Sequence, residues 1–179
     1  MIPANATLHV TALSTLKVML NNHNISMTLS STANLLLVYL LSTEQPHARE
    51  AVAELFWPER QPKQAASNLR TLLSALRKSC GDHVVITRTT VGVEPTHVAY
   101  DVADFQAHIT AAERAVQSDT LETALPHWEA AVRLHQRPFL SDIREPGSPD
   151  LQLWLTLERQ LRYQQMLGAL RQLVAYHTT

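Results

Sequence analysis

Residues 49–93 read REAVAELFWPERQPKQAASNLRTLLSALRKSCGDHVVITRTTVGV. From about Ala48 to Phe56 the spacing predicts a short helix with Val52, Leu55 and Phe56 on its apolar side. Trp57-Pro58 closes it, because a residue before proline is pushed out of the helical region. Pro62 suits the first turn of the next helix and Gly81 suits its C-terminal cap. On that helix Leu69, Leu72, Leu73 and Leu76 fall at i, i+3, i+4 and i+7, a stripe that must face a core. Val84 to Thr89 and Val91 to Val93 then alternate as a short hairpin ending at Pro95.

The side opposite the leucines presents Lys63, Gln64, Ser67, Arg70, Thr71, Ser74 and Lys78. Hydroxyls and an amide can hydrogen-bond there, cations can meet phosphate or guanine, and no carboxylate repels a phosphate backbone. Taken alone, such a face is also an ordinary solvated helix surface. Its setting is more specific: a short helix, a tight turn, a basic amphipathic helix and a hairpin bearing Arg88 and three threonines. That is the order of a winged helix-turn-helix, whose second helix enters the major groove of duplex DNA.

Upstream, Leu8, Val10, Leu16, Val18, Leu20, Ile25, Met27 and Leu29 recur at period two around an Asn-Asn-His-Asn turn, which predicts a small β-meander. Ser30 or Ser31 can cap a helix carrying Leu35, Leu36, Val38, Tyr39 and Leu40. Downstream of Tyr100 the pattern turns helical. Asp101 can cap a helix of Val102, Phe105, Ile109, Ala112 and Val116, and further helices are expected over about 120–135 and 149–176. Asp101 and Asp104 read as structural carboxylates at a helix start. The fold class expected is α+β, with a domain boundary placing 1–98 apart from 99–179.

The stretch 49–93, with "DVADFQAHI", "AVRLHQRPFL" and "LWLTLERQLRYQQMLGALRQLVAYH" behind it, resembles the AfsR/SARP family of bacterial transcriptional regulators. The specific elements are Leu55-Phe56-Trp57-Pro58, Asn68-Leu69 with Leu76-Arg77-Lys78, and the Asp101–Phe105 junction. The resemblance implies an OmpR-type winged helix over 1–98, followed over 99–179 by a bacterial transcriptional activator domain, a TPR-like module cut short at residue 179. It places the recognition helix at Ser67, Arg70, Thr71 and Ser74 and the wing at Arg88 to Thr90. The wing ends in Val91-Gly92-Val93-Glu94 where the family commonly has a Gly-Tyr-Arg ending. Double-stranded DNA and RNA polymerase are the partners implied. A rival reading keeps the fold and makes it a protein-interaction module that does not read DNA.

The remaining composition narrows the function classes. The chain has 179 residues and a net charge of −1, so only a local patch can serve nucleic acid or membrane. Residues 1–100 hold eight Lys/Arg against six Asp/Glu, a net of +2, whereas 101–179 hold seven against ten, a net of −3. With six cations at most near the DNA face, a monomer is expected to bind weakly, and a homodimer through the apolar last helix, around Leu170, would help. Nine histidines are scattered without metal-ligand spacing, and Cys80 is alone, so no metal or cofactor is expected and Cys80 reads as an inert buried thiol. Most of the histidines read as surface residues. Trp57, Trp128 and Trp154 read as core. Four glycines leave no phosphate loop or nucleophile elbow, so no enzyme is expected. Lacking a long apolar run, the protein is expected to be cytoplasmic, with no membrane contact.

Overall fold

Alternation at the start of the chain buries Leu8, Val10 and Val18 on one face of a sheet. The computed structural model describes residues 7–94, 96–118, 121–144 and 146–178. Strand β1 (Leu8–Thr11) pairs antiparallel with β2 (Lys17–Leu20), Val10 opposite Val18, and β2 pairs with the two-residue β3 (His23–Asn24). Asn21 and Asn22 between them have φ of 48° and 66°. Two consecutive left-handed residues are the demand of the tightest hairpin turn, and asparagine tolerates it. Helix α1 (Ser31–Thr43) follows, with the Ser30 hydroxyl accepting from the Ala33 N–H at 3.1 Å as its cap. Ala33 to Val38, Leu40 and Leu41 are all buried, so α1 is enclosed on nearly every side rather than lying on a surface.

Strand β4 (His47–Ala48) leads into α2 (Arg49–Phe56) and α3 (Pro62–Cys80). The expected hairpin is present as β5 (Val84–Ile86) and β6 (Thr90–Val93), and β4 adds a third antiparallel strand in the order β4-β6-β5. Gly92 is buried in β6 beside Pro46, whose Cα would stand 3.4 Å from a Cβ at that position. On α3 the buried stripe is Ala65, Leu69, Leu73, Leu76 and Cys80. Leu72, expected among them, is only half-buried at the stripe's edge. The run with spacings of three and four from 65 to 80 is centred about 60° to one side of it.

Strand β7 (Val98–Tyr100) was not legible as a strand, yet it pairs in parallel with β1, Val10 opposite Tyr100. Three residues are too few to show a period, and their partner lies some ninety positions away. From Tyr100 the chain passes directly into α4 (Asp101–Gln117), then α5 (Leu121–Leu134) and α6 (Pro149–His177). Asp101 does not cap α4: Tyr100 holds the cap position without a side-chain bond, and the Asp101 carboxylate reaches back to Ala12 N (2.8 and 2.9 Å) and Leu13 N (2.9 Å). The loop before α6 grips the same segment from the other side, through Arg137 N to Leu13 O (2.8 Å) and Leu140 N to Ala12 O (2.9 Å). Tyr39 on α1 meets Trp154 on α6 edge-on at 5.2 Å, and Trp154 meets Phe139 at 5.9 Å.

Other expectations are adjusted by packing. Trp128 is buried, and Trp57 and Trp154 are both half-buried and packed against the core. Only His9, His23, His97 and His177 are exposed, while His83 is buried and the other four are half-buried. Between α4 and α6, Arg162 is buried and bonds Gln106 (2.8 Å), Glu158 (2.8 Å) and Gln165 (3.2 Å), a polar knot that no periodicity announced. Two stability outcomes follow from this packing. Asp101→Ala leaves two buried amides unsatisfied and is expected to lower unfolding stability in urea by about 2–4 kcal/mol, with Asp101→Asn costing less. Leu76→Ala is expected to cost about 2–5 kcal/mol as a buried truncation, and Leu72→Ala clearly less; equal losses would contradict the packing of α3.

Candidate nucleic-acid interface

With Leu69, Leu73 and Leu76 turned inward, α3 turns Lys63, Gln64, Ser67, Arg70, Thr71, Ser74 and Lys78 outward, and all seven are exposed. The face spans about 22 Å of helix at 1.5 Å per residue, the scale of a major groove crossing. Two of its polar groups are occupied along the helix: the Gln64 amide donates to Asn68 at 2.9 Å, and the Thr71 hydroxyl donates to the Ser67 carbonyl at 3.2 Å. Arg70, Ser74 and Lys78 continue into a groove of about 530 Å³ whose other walls are Arg49, Arg77 and the apolar Leu73 and Ile86.

Arg49 belongs to this groove and escaped sequence reading. It opens α2, where a cation opposes the helix dipole. Its place is fixed by the hairpin instead: its N–H donates to Thr89 O at 2.8 Å and its Nη1 to Thr87 O at 3.2 Å. Arg77 is likewise held, donating to Val84 O at 2.7 Å and pairing with Asp82 at 2.6 Å. That ion pair is exposed and contributes little stability, but it orients the guanidinium along the groove wall. The signal available in the sequence was the unusual basic residue at a helix start, visible only once the helix start was certain.

The wing tip is Thr87-Arg88-Thr89. The Thr87 hydroxyl accepts from Thr90 N at 2.9 Å and meets the Thr90 hydroxyl at 2.7 Å, and Thr87 N donates to Thr90 O at 3.0 Å. Arg88 is exposed at this braced turn. Thr90 is placed differently from its neighbours: it opens β6 opposite Ala48, half-buried, with its hydroxyl already engaged by Thr87. The structure thus brings Arg70, Ser74 and Lys78 together with Arg49 and Arg77, and leaves Lys63, Gln64 and Arg88 at the two ends of the surface.

Chemistry elsewhere is sparse. Cys80 is buried, and burial pushes its thiol up to about 11, so it stays protonated at neutral pH. Among the described residues no group of three or more His, Cys, Asp or Glu could hold a metal ion, and no helix is long and apolar enough to cross a membrane.

Residues 100–179 match the family model of the bacterial transcriptional activator domain. A solved structure of Mycobacterium tuberculosis EmbR in complex with a low-affinity phosphopeptide is similar with a TM-score of 0.70 at 20% identity, covering 92% of this chain and 45% of that one. At that identity the likeness concerns the fold, and the chain spans less than half the length of its match. No curated protein matches the sequence. The C-terminal part of the chain is thus similar to a bacterial transcriptional activator domain, and the fold of the chain is similar to that of EmbR.

Proposed function

We propose that the chain regulates transcription in the cytoplasm by binding double-stranded DNA, with α3 in the major groove and the wing tip against a flanking phosphate. The observation that supports this most is the continuity of the outward face of α3 with a groove carrying Arg49, Arg70, Arg77 and Lys78. Arg70 and Ser74 lie at its centre, where side chains meet base edges, and Lys63, Lys78 and Arg88 lie toward its ends, where backbone phosphates run. The match of residues 100–179 to a transcriptional activator domain supports a regulatory role without catalysis, and RNA polymerase is the second partner of this reading.

About six cations can take part, and each neutralised phosphate lowers log K by about 0.9 per decade of salt, so one copy holds DNA weakly. Two copies on one operator overcome this. On α6, Leu153, Leu157 and Leu161 are 58%, 60% and 47% exposed at i, i+4 and i+8. Burying that stripe against its symmetry mate would form a homodimer, and its seam lies around Leu157, since Leu170 is already half-buried.

One observation favours the rival reading as a protein-docking module. A groove of about 650 Å³ beside the helix-turn-helix exposes Trp57 between Glu50, Glu54 and Lys63. Partner binding that persists in Arg70→Ala and fails in Trp57→Ala, without DNA binding by the parent, would favour it.

Gel shifts on DNA upstream of its own and neighbouring genes, at two salt concentrations, test the main reading. Arg70→Ala is expected to cost about 1–3 kcal/mol on the preferred site and to flatten sequence preference. Lys78→Ala and Arg49→Ala are expected to weaken all sequences alike and lower the salt slope by about one each. Full affinity in Arg70→Ala with a normal melting temperature removes α3 from the recognition surface. Sedimentation at micromolar concentration should show a dimer that Leu157→Glu dissociates, with DNA affinity falling in parallel; a concentration-independent monomer rules the dimer out.

A further inference from the structure

Where the two modules meet, four elements frame a cavity of about 300 Å³. Leu40 and Leu41 near the end of α1, Val93 at the end of β6, Val98 and Tyr100 of β7 and Ala103 in the first turn of α4 supply its apolar walls. Leu40, Leu41 and Tyr100 are buried, and Val93 and Val98 are half-buried. The Tyr100 hydroxyl is already engaged by Ser42 at 2.8 Å. One charged side chain completes the lining. Glu44 follows α1 in the left-handed conformation, with a φ of 54°, exposed and without a hydrogen bond or ion pair among the described residues. The carbonyl groups at this helix end carry partial negative charge, and the last turn of α1 holds no basic residue to offset it. No lysine or arginine lines the cavity. A dry hydrocarbon surface thus ends at a rim that is negative for two separate reasons, the carboxylate and the helix end.

We propose that this cavity binds a small apolar primary amine, its hydrocarbon part against Leu40, Leu41, Val93 and Val98 and its ammonium group at Glu44. An ammonium group donates three hydrogen bonds and accepts none, which matches a carboxylate and helix carbonyls. A ligand carboxylate would meet charge of its own sign, and a neutral alcohol would leave the Glu44 charge unanswered. An apolar cavity of about 150 Å³ suffices for benzene, so this one has room for an aromatic ring or a short alkyl chain together with the polar head. The site is independent of the DNA-binding reading. A molecule held there touches α1 and β6 of one module and α4 of the other, so its binding energy stabilises their contact.

Calorimetry on the 179-residue chain tests this, with phenethylamine, phenethyl alcohol and phenylpropionate as probes of similar shape and different charge. The amine is expected to bind about fivefold more tightly than the alcohol, the gain that an exposed charge pair allows, and the acid more weakly than either. Glu44→Gln keeps the side-chain volume and removes the charge, so it should bring the amine down to the alcohol and leave the alcohol unchanged. Ala103→Met fills the cavity from an exposed position on α4 and should weaken amine and alcohol about tenfold or more, with the melting temperature of the free chain not lowered. No heat from amine or alcohol at about 10 mM, an amine that binds no better than the alcohol, an amine preference that survives Glu44→Gln, or undiminished binding in Ala103→Met overturns the site.

Discussion

The carboxylate of Asp101 accepts the backbone N–H groups of Ala12 and Leu13, and the relation between the two halves of the chain rests on that contact. The segment after β1 cannot satisfy those amides within its own sheet, and burial shields them from water. Asp101 can reach them because it is the first residue after β7, which runs beside β1. The sheet pairing sets the register and the carboxylate locks it. Burial raises the pKa of Asp101 above the usual aspartate range, and the bonds from Ala12 and Leu13 oppose that rise. The loop at 137–142 closes the same segment from behind, so the strand end is held from both modules at once.

Helix α3 carries two duties on opposite sides. Its inner stripe from Ala65 to Cys80 completes the core, and its outer side is free of packing demands. That division lets the outer side hold cations and hydroxyls in a fixed geometry at no cost to folding. The wing and α2 then extend the surface, since Arg49 is anchored by the hairpin and Arg77 by the turn after α3.

Most of this architecture was legible in sequence because it is written in local signals. The capping Ser30, Pro62 at a helix start, Gly81 at a helix end and the leucine spacing of α3 each act within a turn or two of the chain. The parts that escaped depend on distant partners. Strand β7 exists because β1 is there to pair with it, β4 because β6 is, and the Asp101 contact spans nearly ninety residues. Leu72 was assigned to the core because a four-leucine pattern fits a stripe in either of two phases, and only the neighbouring Ala65 and Cys80 choose between them. The seven outward residues of α3 could be named from periodicity, whereas Arg49 required knowing which carbonyls the hairpin would offer it.

Helix α6 has a mechanical consequence. Its 29 residues form a rod rooted against the N-terminal module by the contact of Trp154 with Tyr39. About 35 Å of helix lies beyond that root. A tilt of about 5° at the aromatic contact, the size of a rotamer-scale adjustment, carries the far end through about 3 Å. Because Arg162 ties the rod to Gln106 of α4, α4 and α6 swing together as one lever: small angular changes where the two modules meet become displacements at its tip large enough to make or break side-chain contacts there.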